Sequence, residues 1–350
     1  MKPSTAKAVA RAETALSSLN QSLHEMMEND ERVLLLGEDI LDPYGGAFKV
    51  TKGLSDRFPE RVFTTPISES AIVGMANGLA MRGLRPIAEI MFGDFLALAA
   101  DQLINHAAKF RWMYNEGVTV PMVVRAPVGA RRGYGPTHSQ SLEKHFIGVP
   151  GLMVVAPHIL GDPGALLRQA TLDCDEPVVF VESKLCYGRQ LVTNVAGATV
   201  ELLATDAAPF PTSYVHHDEA ETGPDAILHC YGAMTPFCLE AVEKLREEEG
   251  LFVDLAVFTQ LSSVPGDHIE HIFGTRKPAL CIYAEEASPS GGWGAELIAR
   301  YEQARTGAGA PAIRHERVAG DDVPIAGSRE LETACLPQTD DIVGRILDCF

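Results

Sequence analysis

Apolar residues are arranged along this chain in short blocks that alternate between two periods. Leu16, Leu19, Leu23, Met26 and Met27 recur three or four positions apart, which predicts a helix over residues 6–29 with one apolar face. Residues 33–36 are continuously apolar and of strand length. A helix is predicted over 70–81, a strand over 86–90, a long helix over 96–114 and a strand over 121–125. The alternation continues with a strand at 152–156, a helix at 163–173 and a strand at 177–182. Apolar strands separated by helices imply a parallel sheet covered on both faces.

Between residues 191 and 225 this periodicity fails. Pro209, Pro211 and Pro224, with the polar run over 214–223, predict an exposed connection. Beyond it the alternation resumes, with strands at 226–231, 252–258 and 279–284 and helices at 236–248, 294–305 and 341–349. The expected architecture is therefore α/β with two doubly wound domains, residues 1–190 and a smaller one over 226–350, joined by a linker over 191–225. A chain of 350 residues is long enough to bury two such cores.

Composition narrows the function classes. A formal net charge of −18 argues against a nucleic-acid partner and against anionic membranes, because both require a basic face. No apolar run approaches the ~20 residues that span a bilayer, and the start does not resemble a signal peptide. Residues 1–12 carry Lys2, Lys7 and Arg11 without acids, a pattern faintly like a transit peptide that reads better as a short disordered lead-in. Seven scattered cysteines, never in C-x-x-C spacing, point to free thiols in a reducing cytoplasm rather than a disulfide framework or a zinc site.

The most chemically suggestive stretch is Pro66-Ile67-Ser68-Glu69, which runs into a helix of small residues: Ala71, Gly74, Ala76, Gly78 and Ala80. Neighbouring backbone can approach such a helix closely. Apolar surroundings favour a protonated carboxyl, while the dipole of a first helical turn favours the charged form, so Glu69 is placed to exchange a proton. The same pattern also suits a plain capping acid with Ser68 as N-cap. His138 lies in a Gly-rich loop after a strand, where α/β proteins gather ligand contacts, and a histidine bonded only to its own loop fits equally well. His216-His217-Asp218-Glu219 falls in the predicted linker and reads as a solvated tract. His268 and His271 lack a companion ligand set, and Gly291-Gly292-Trp293-Gly294 does not match G-x-G-x-x-G.

Four segments together carry a family resemblance: 45–54 (Gly-Gly-Ala-Phe-Lys-Val-Thr-Lys-Gly-Leu), Thr65-Pro66-Ile67-Ser68-Glu69, Gly83-Leu84-Arg85-Pro86-Ile87 and His138-Ser139-Gln140. From about Leu16 to Phe350 the chain resembles the beta subunit of thiamine-diphosphate-dependent 2-oxo acid dehydrogenases, of the pyruvate, branched-chain and acetoin type. The resemblance implies a transketolase-like pyrimidine-binding domain followed by a transketolase C-terminal domain. It implies that Glu69 meets the aminopyrimidine ring of the cofactor, that Phe95 stacks on that ring, and that Glu38 and Ile67 belong to the same pocket. Phe95 could otherwise be ordinary core packing beside Phe92. His138 is implied as an acid/base or substrate-carboxylate contact. Met122, Ala170, Asp173 and Asp175 match positions where some members hold potassium, largely through backbone carbonyls.

In that family the diphosphate is anchored through Mg2+ by a Gly-Asp-Gly motif with a downstream Asn. Here the nearest approach is Gly320-Asp321-Asp322, in the other domain and without the asparagine. The resemblance therefore implies an alpha partner holding the diphosphate and Mg2+, in an assembly of two alpha and two beta chains. It also implies acyl transfer to the lipoyl group of an acyltransferase core. Two alternatives remain at this point. One is a split transketolase-like or acyloin-forming enzyme with a sugar or aldehyde acceptor bound by Arg131 and Arg132. The other is a non-catalytic structural subunit.

Overall fold

Thr14 opens the first helix with a reciprocal cap: its hydroxyl accepts from the Ser17 amide at 3.2 Å while the Ser17 hydroxyl accepts from the Thr14 amide at 2.9 Å. The computed structural model describes residues 13–205, 208–217, 223–263, 278–306 and 313–350. The lead-in at 1–12, Asp218 and Glu219, and His268 and His271 lie outside the described residues.

Helix α1 (Ala15–Asn29) buries Leu19, Leu23, Met26 and Met27, as the spacing predicts. Each such side chain contributes ~1.5–3 kcal/mol of burial. The first sheet consists of β1 (Val33–Gly37), β2 (Val62–Thr64), β3 (Arg85–Glu89), β4 (Val123–Val128), β5 (Met153–Val155) and β6 (Val178–Ser183). They are ordered β2-β1-β3-β4-β6-β5, with every pairing parallel. Alternate residues divide between two cores. Leu34, Leu36, Val124, Ala126, Val179 and Val181 face one side, and Val33, Leu35, Val123, Val178 and Phe180 face the other. Around this sheet lie α2 (Leu54–Arg57), α3 (Glu69–Met81), α4 (Leu96–Asp101), α5 (Ala108–Met113), α6 (Lys144–Ile147) and α7 (Pro163–Arg168).

Three helices predicted as continuous are wider in the middle or at the end, the one predicted over 236–248 at Leu245–Glu249. Residues Gln102–Ala107 between α4 and α5, and Gln169–Asp173 after α7, are π-helical. In the first, Asn77 Nδ2 donates to the Gln102 carbonyl at 3.0 Å, and in the second, Thr171 Oγ1 donates to the Leu167 carbonyl at 2.8 Å. Side chains bonded to the carbonyl ladder in this way accompany local widening of a helix.

The second sheet is ordered β12-β11-β9-β10-β8-β7. Its strands are β7 (Thr199–Thr205), β8 (Ala208–His216), β9 (Ala226–Tyr231), β10 (Val253–Phe258), β11 (Leu280–Glu285) and β12 (Arg314–Ala319). Helices α8 (Thr235–Lys244), α9 (Trp293–Thr306), α10 (Arg329–Ala334) and α11 (Thr339–Leu347) complete this half. The predicted linker needs correction, because β7 and β8 form an antiparallel hairpin within it and β8 pairs with β10. Pro209 and Pro211 misdirect the sequence reading. They lie outside the stretch Ser213–Val215 that pairs with β10, so their missing N–H groups are not required on that side. One core runs through both halves, from Val124 and Val181 to Phe258, Tyr283 and Trp293.

Candidate active site

In a parallel sheet, ligand contacts collect beyond the carboxyl ends of the strands, at the point where the strand order reverses. Here β2 lies on one side of β1 and β3 on the other, so the chain crosses back over β1 on its way from β2 to β3. Glu38 immediately follows β1, Phe92 and Phe95 follow β3, the His138 loop follows β4, and Lys184 follows β6.

Glu69 is the first residue of α3 and is buried at 6% exposure, whereas Ile67, two residues earlier, is 83% exposed. The carboxylate thus lies one step inside an uncovered apolar surface. Ser68 is the N-cap by backbone conformation, but its side chain makes no capping bond, so the simple capping reading loses its hydroxyl. Glu38 is also buried, and its Oε1 has no partner among the described residues. Burial holds the Glu38 carboxyl above its ordinary range; the charges of Glu69 and Asp39 add to this, and a backbone bond from Ser68 opposes it.

His138 sits in an aromatic box. Its ring meets Phe92 edge-on at 4.6 Å and Phe95 at 5.2 Å between centroids, and Thr137 Oγ1 lies 2.8 Å from its Nδ1. Phe92 also packs against Phe48 at 5.7 Å and Tyr134 at 5.8 Å. Phe48 belongs to the glycine-rich loop after β1, which reaches across the cluster. Gly46 in that loop has φ of +79°, and a Cβ there would lie 2.6 Å from Glu89 Oε1, so glycine is required. The site residues expected from sequence fall into two neighbouring groups on one edge: Glu38, Ile67 and Glu69, and Phe95 with His138.

Sequence reasoning missed a buried charge layer beneath them. Arg125 donates to Glu89 Oε2 at 2.7 Å and to Glu182 Oε1 and Oε2 at 2.6 and 2.7 Å, while Tyr187 donates to Glu182 Oε2 at 2.7 Å. Burial pushes the Glu89 carboxyl up and Arg125 pulls it back. It also missed Lys184 and Asp94. Lys184 is fully buried, and desolvation brings its ammonium down to about 8. A lysine directly after an apolar parallel strand was the available signal.

Met122 and Asp175 precede β4 and β6, and Ala170 and Asp173 lie in the π turn, so these positions are at the opposite edge of the sheet. The side chains of Asp173 and Asp175 are engaged by Arg168 at 3.2 Å and Arg85 at 3.0 Å. Backbone carbonyls alone could serve an ion there. Arg131 and Arg132 are also committed. Arg131 bonds Glu286 at 3.1 Å and the Pro337 carbonyl at 2.7 Å, and Arg132 bonds the Lys184 carbonyl at 2.8 Å. Asp322 in the near-motif Gly320-Asp321-Asp322 accepts from Ser290 at 2.5 Å. His217 bonds the Gly197 carbonyl at 2.7 Å, and among the described residues no group of three His, Cys, Asp or Glu could hold a metal.

The chain's own residues fit the head of the coenzyme that the resemblance implies. Two buried carboxyls, one with an oxygen unmet among the described residues, lie close to exposed Ile67 in sequence, and Phe95 presents a partly buried ring against His138.

The family described as transketolase, pyrimidine binding domain, matches residues 14–190, and transketolase, C-terminal domain, matches residues 215–342. The chain is 36% identical to pyruvate dehydrogenase E1 component subunit beta-2, mitochondrial, of Oryza sativa subsp. japonica, covering 96% of this chain and 86% of that one. It is 35% identical to acetoin:2,6-dichlorophenolindophenol oxidoreductase subunit beta of Cupriavidus necator, covering 94% and 95%. It is 33% identical to 3-methyl-2-oxobutanoate dehydrogenase subunit beta of Mycobacterium tuberculosis, covering 97% and 92%. A solved structure described as a split gene transketolase, inactive beta4 tetramer, shares the fold, with a TM-score of 0.71 and 20% identity over 96% of this chain and 98% of that one.

Proposed function

We propose, from the premise that this chain belongs to the transketolase-like family of E1 beta subunits, that it is the beta subunit of a heteromeric thiamine-diphosphate enzyme. The assembled enzyme decarboxylates a 2-oxo acid and transfers the acyl group to a lipoyl acceptor. Its alpha partner carries the diphosphate and Mg2+ site in an assembly of two alpha and two beta chains, and an acyltransferase core presents the lipoyl group. We place it in the cytoplasm, a reading supported by seven free thiols, although the rice relative is named mitochondrial. Among the described residues no helix is long and apolar enough to cross a membrane.

The reading is supported by two pairs at the carboxyl ends of the strands: Glu38 after β1 with Glu69 at the start of α3, next to exposed Ile67, and Phe95 after β3 with His138 in the loop after β4. When bound, thiamine diphosphate supplies a thiazolium carbon that adds to the ketone and accepts the electrons left as CO2 departs. Glu69 holds and shares a proton at the aminopyrimidine ring nitrogen, which a buried carboxyl within hydrogen-bond reach does well. Beside it, burial first and then the charge of Glu69 shift the Glu38 carboxyl toward its neutral form. Phe95 offers its ring to the pyrimidine, and Phe92 packs edge-on against His138. His138 moves a proton at the substrate oxygen or meets the substrate carboxylate. A potassium ion at the opposite edge, held by carbonyls of Met122, Ala170, Asp173 and Asp175, is a structural assignment only.

An aldehyde or sugar acceptor is the weaker reading, because the arginines that would bind it are both engaged by protein. The test uses the assembled alpha–beta enzyme, a 2-oxo acid and a lipoylated protein. Glu69→Gln should lower kcat by ~10²–10⁴-fold. Turnover within threefold of the parent would overturn the role of Glu69 and favour a structural subunit.

A further inference from the structure

Lysine is almost never fully buried unless it is paired, yet the Lys184 side chain lies beneath the His138 loop with 0% exposure. Its Nζ donates to the His138 carbonyl at 2.5 Å and lies 5.1 Å from the Phe92 ring centroid and 5.8 Å from that of Tyr134. On the other side of the same short segment, Asp94 Oδ1 accepts from the Gln140 amide at 3.3 Å. Asp94 Oδ2 is buried with no hydrogen-bond partner among the described residues. Asp94 belongs to the 3-10 turn Gly93–Phe95, which also carries Phe95. The tripeptide His138-Ser139-Gln140 is therefore held at its first carbonyl by an ammonium and at its last amide by a carboxylate. Ser139 between them is buried at 1% exposure.

We infer that Asp94 and Lys184 form an ionic clamp on the backbone of residues 138–140 that positions the His138 imidazole for proton transfer. Both are positioning residues, and the inference rests on the reading of His138 given above. The imidazole is fixed at Nδ1 by Thr137 and along its edge by Phe92 and Phe95, which leaves Nε2 without a hydrogen bond among the described residues. Moving the carbonyl of His138 would swing that nitrogen, and a displacement of about 1 Å in a reacting group can cost ~10²-fold in rate. The charged groups facing Lys184 come from four places: Asp94 in the turn after β3, Glu286 beyond β11, Glu332 in α10, and Arg132 in the His138 loop. The Lys184 carbonyl accepts from Arg132, which ties the clamp to that same loop.

The experiment uses the assembled enzyme with Lys184→Met, Lys184→Arg, His138→Ala and the double variant Lys184→Met/His138→Ala. Lys184→Met should lower kcat ~30-fold or more, change the thiamine diphosphate Kd less than threefold, and add nothing to the loss already caused by His138→Ala. Lys184→Arg, whose guanidinium stays charged, should recover part of the rate and move the alkaline limb of the kcat profile upward from that of the parent. Multiplicative losses in the double variant, or a Lys184→Met rate within threefold of the parent, would overturn the clamp. If Lys184→Met does not assemble, Asp94→Asn is judged by the same non-additivity with His138→Ala. Amide hydrogen exchange at Gln140 separates this inference from the enzymatic reading. Faster exchange in Lys184→Met with no turnover in the parent would sink the function and leave the clamp. Unchanged exchange with a fully active parent would sink the clamp alone.

Discussion

Glu143 lies where the two halves of the chain meet, 1% exposed, with Tyr231 of β9 donating to its Oε1 at 2.6 Å and its Oε2 unpartnered among the described residues. Burial first, and then the charges of Glu286 and Glu285, raise its carboxyl from an ordinary 4.5 to about 7, against the bond from Tyr231. The unfolded chain gives up this proton near 4.5 and the folded one near 7, so folded protein binds more protons between those values. Stability must therefore fall as pH rises through that window and level off above it, by on the order of 3 kcal/mol from this one group. Glu143→Gln keeps the acceptor for Tyr231 and removes the ionisation. The variant and the parent should be nearly equal at pH 4.5–5, and the variant should be the more stable at pH 8. For a 350-residue chain melting as one unit, ~3 kcal/mol corresponds to about 4 °C in Tm. Scanning calorimetry of both proteins at pH 5, 6, 7 and 8 measures the difference, in which other titrating groups cancel. A Tm difference independent of pH, or a variant less stable throughout, would refute the reasoning.

Arg125→Met should destabilise the chain by ~3–5 kcal/mol in urea denaturation, because Glu89 and Glu182 would be left buried without their cation; a loss below ~1 kcal/mol would show that the layer is not held by this arginine. The inactive Glu69→Gln protein should melt within about 1 °C of the parent, since its side chain has a neutral isostere at a helix start; a large Tm loss would mean that Glu69 serves the fold.

Much of this arrangement was legible in the order of residues. Continuous apolar strands such as Val178–Ser183 and the spaced leucines of α1 identify buried elements because nothing else accounts for them. Strands β2, β7, β8 and β12 were not legible, for physical reasons, β2 because it has three residues of which two are exposed. β12 carries Arg314 and Glu316 on a sheet edge where charged side chains reach solvent, its Arg317 turns onto buried Glu285, and only Val318 is buried. β8 contains two prolines placed where one partner is missing. Motif resemblance points to Glu38, Glu69, Phe95 and His138 as site residues, whereas it does not point to Asp94 and Lys184. Their role depends on backbone atoms of a loop 44–46 residues away in sequence, a relation that no local pattern encodes.

The central claim is that this chain supplies only the pyrimidine half of a shared coenzyme site. Calorimetric titration of thiamine diphosphate with Mg2+ tests it most directly, comparing this chain alone with the chain assembled with its alpha partner. The account predicts no measurable heat of binding for the chain alone and saturable binding, weakened by Glu69→Gln, for the pair. Tight binding to the isolated chain would contradict it.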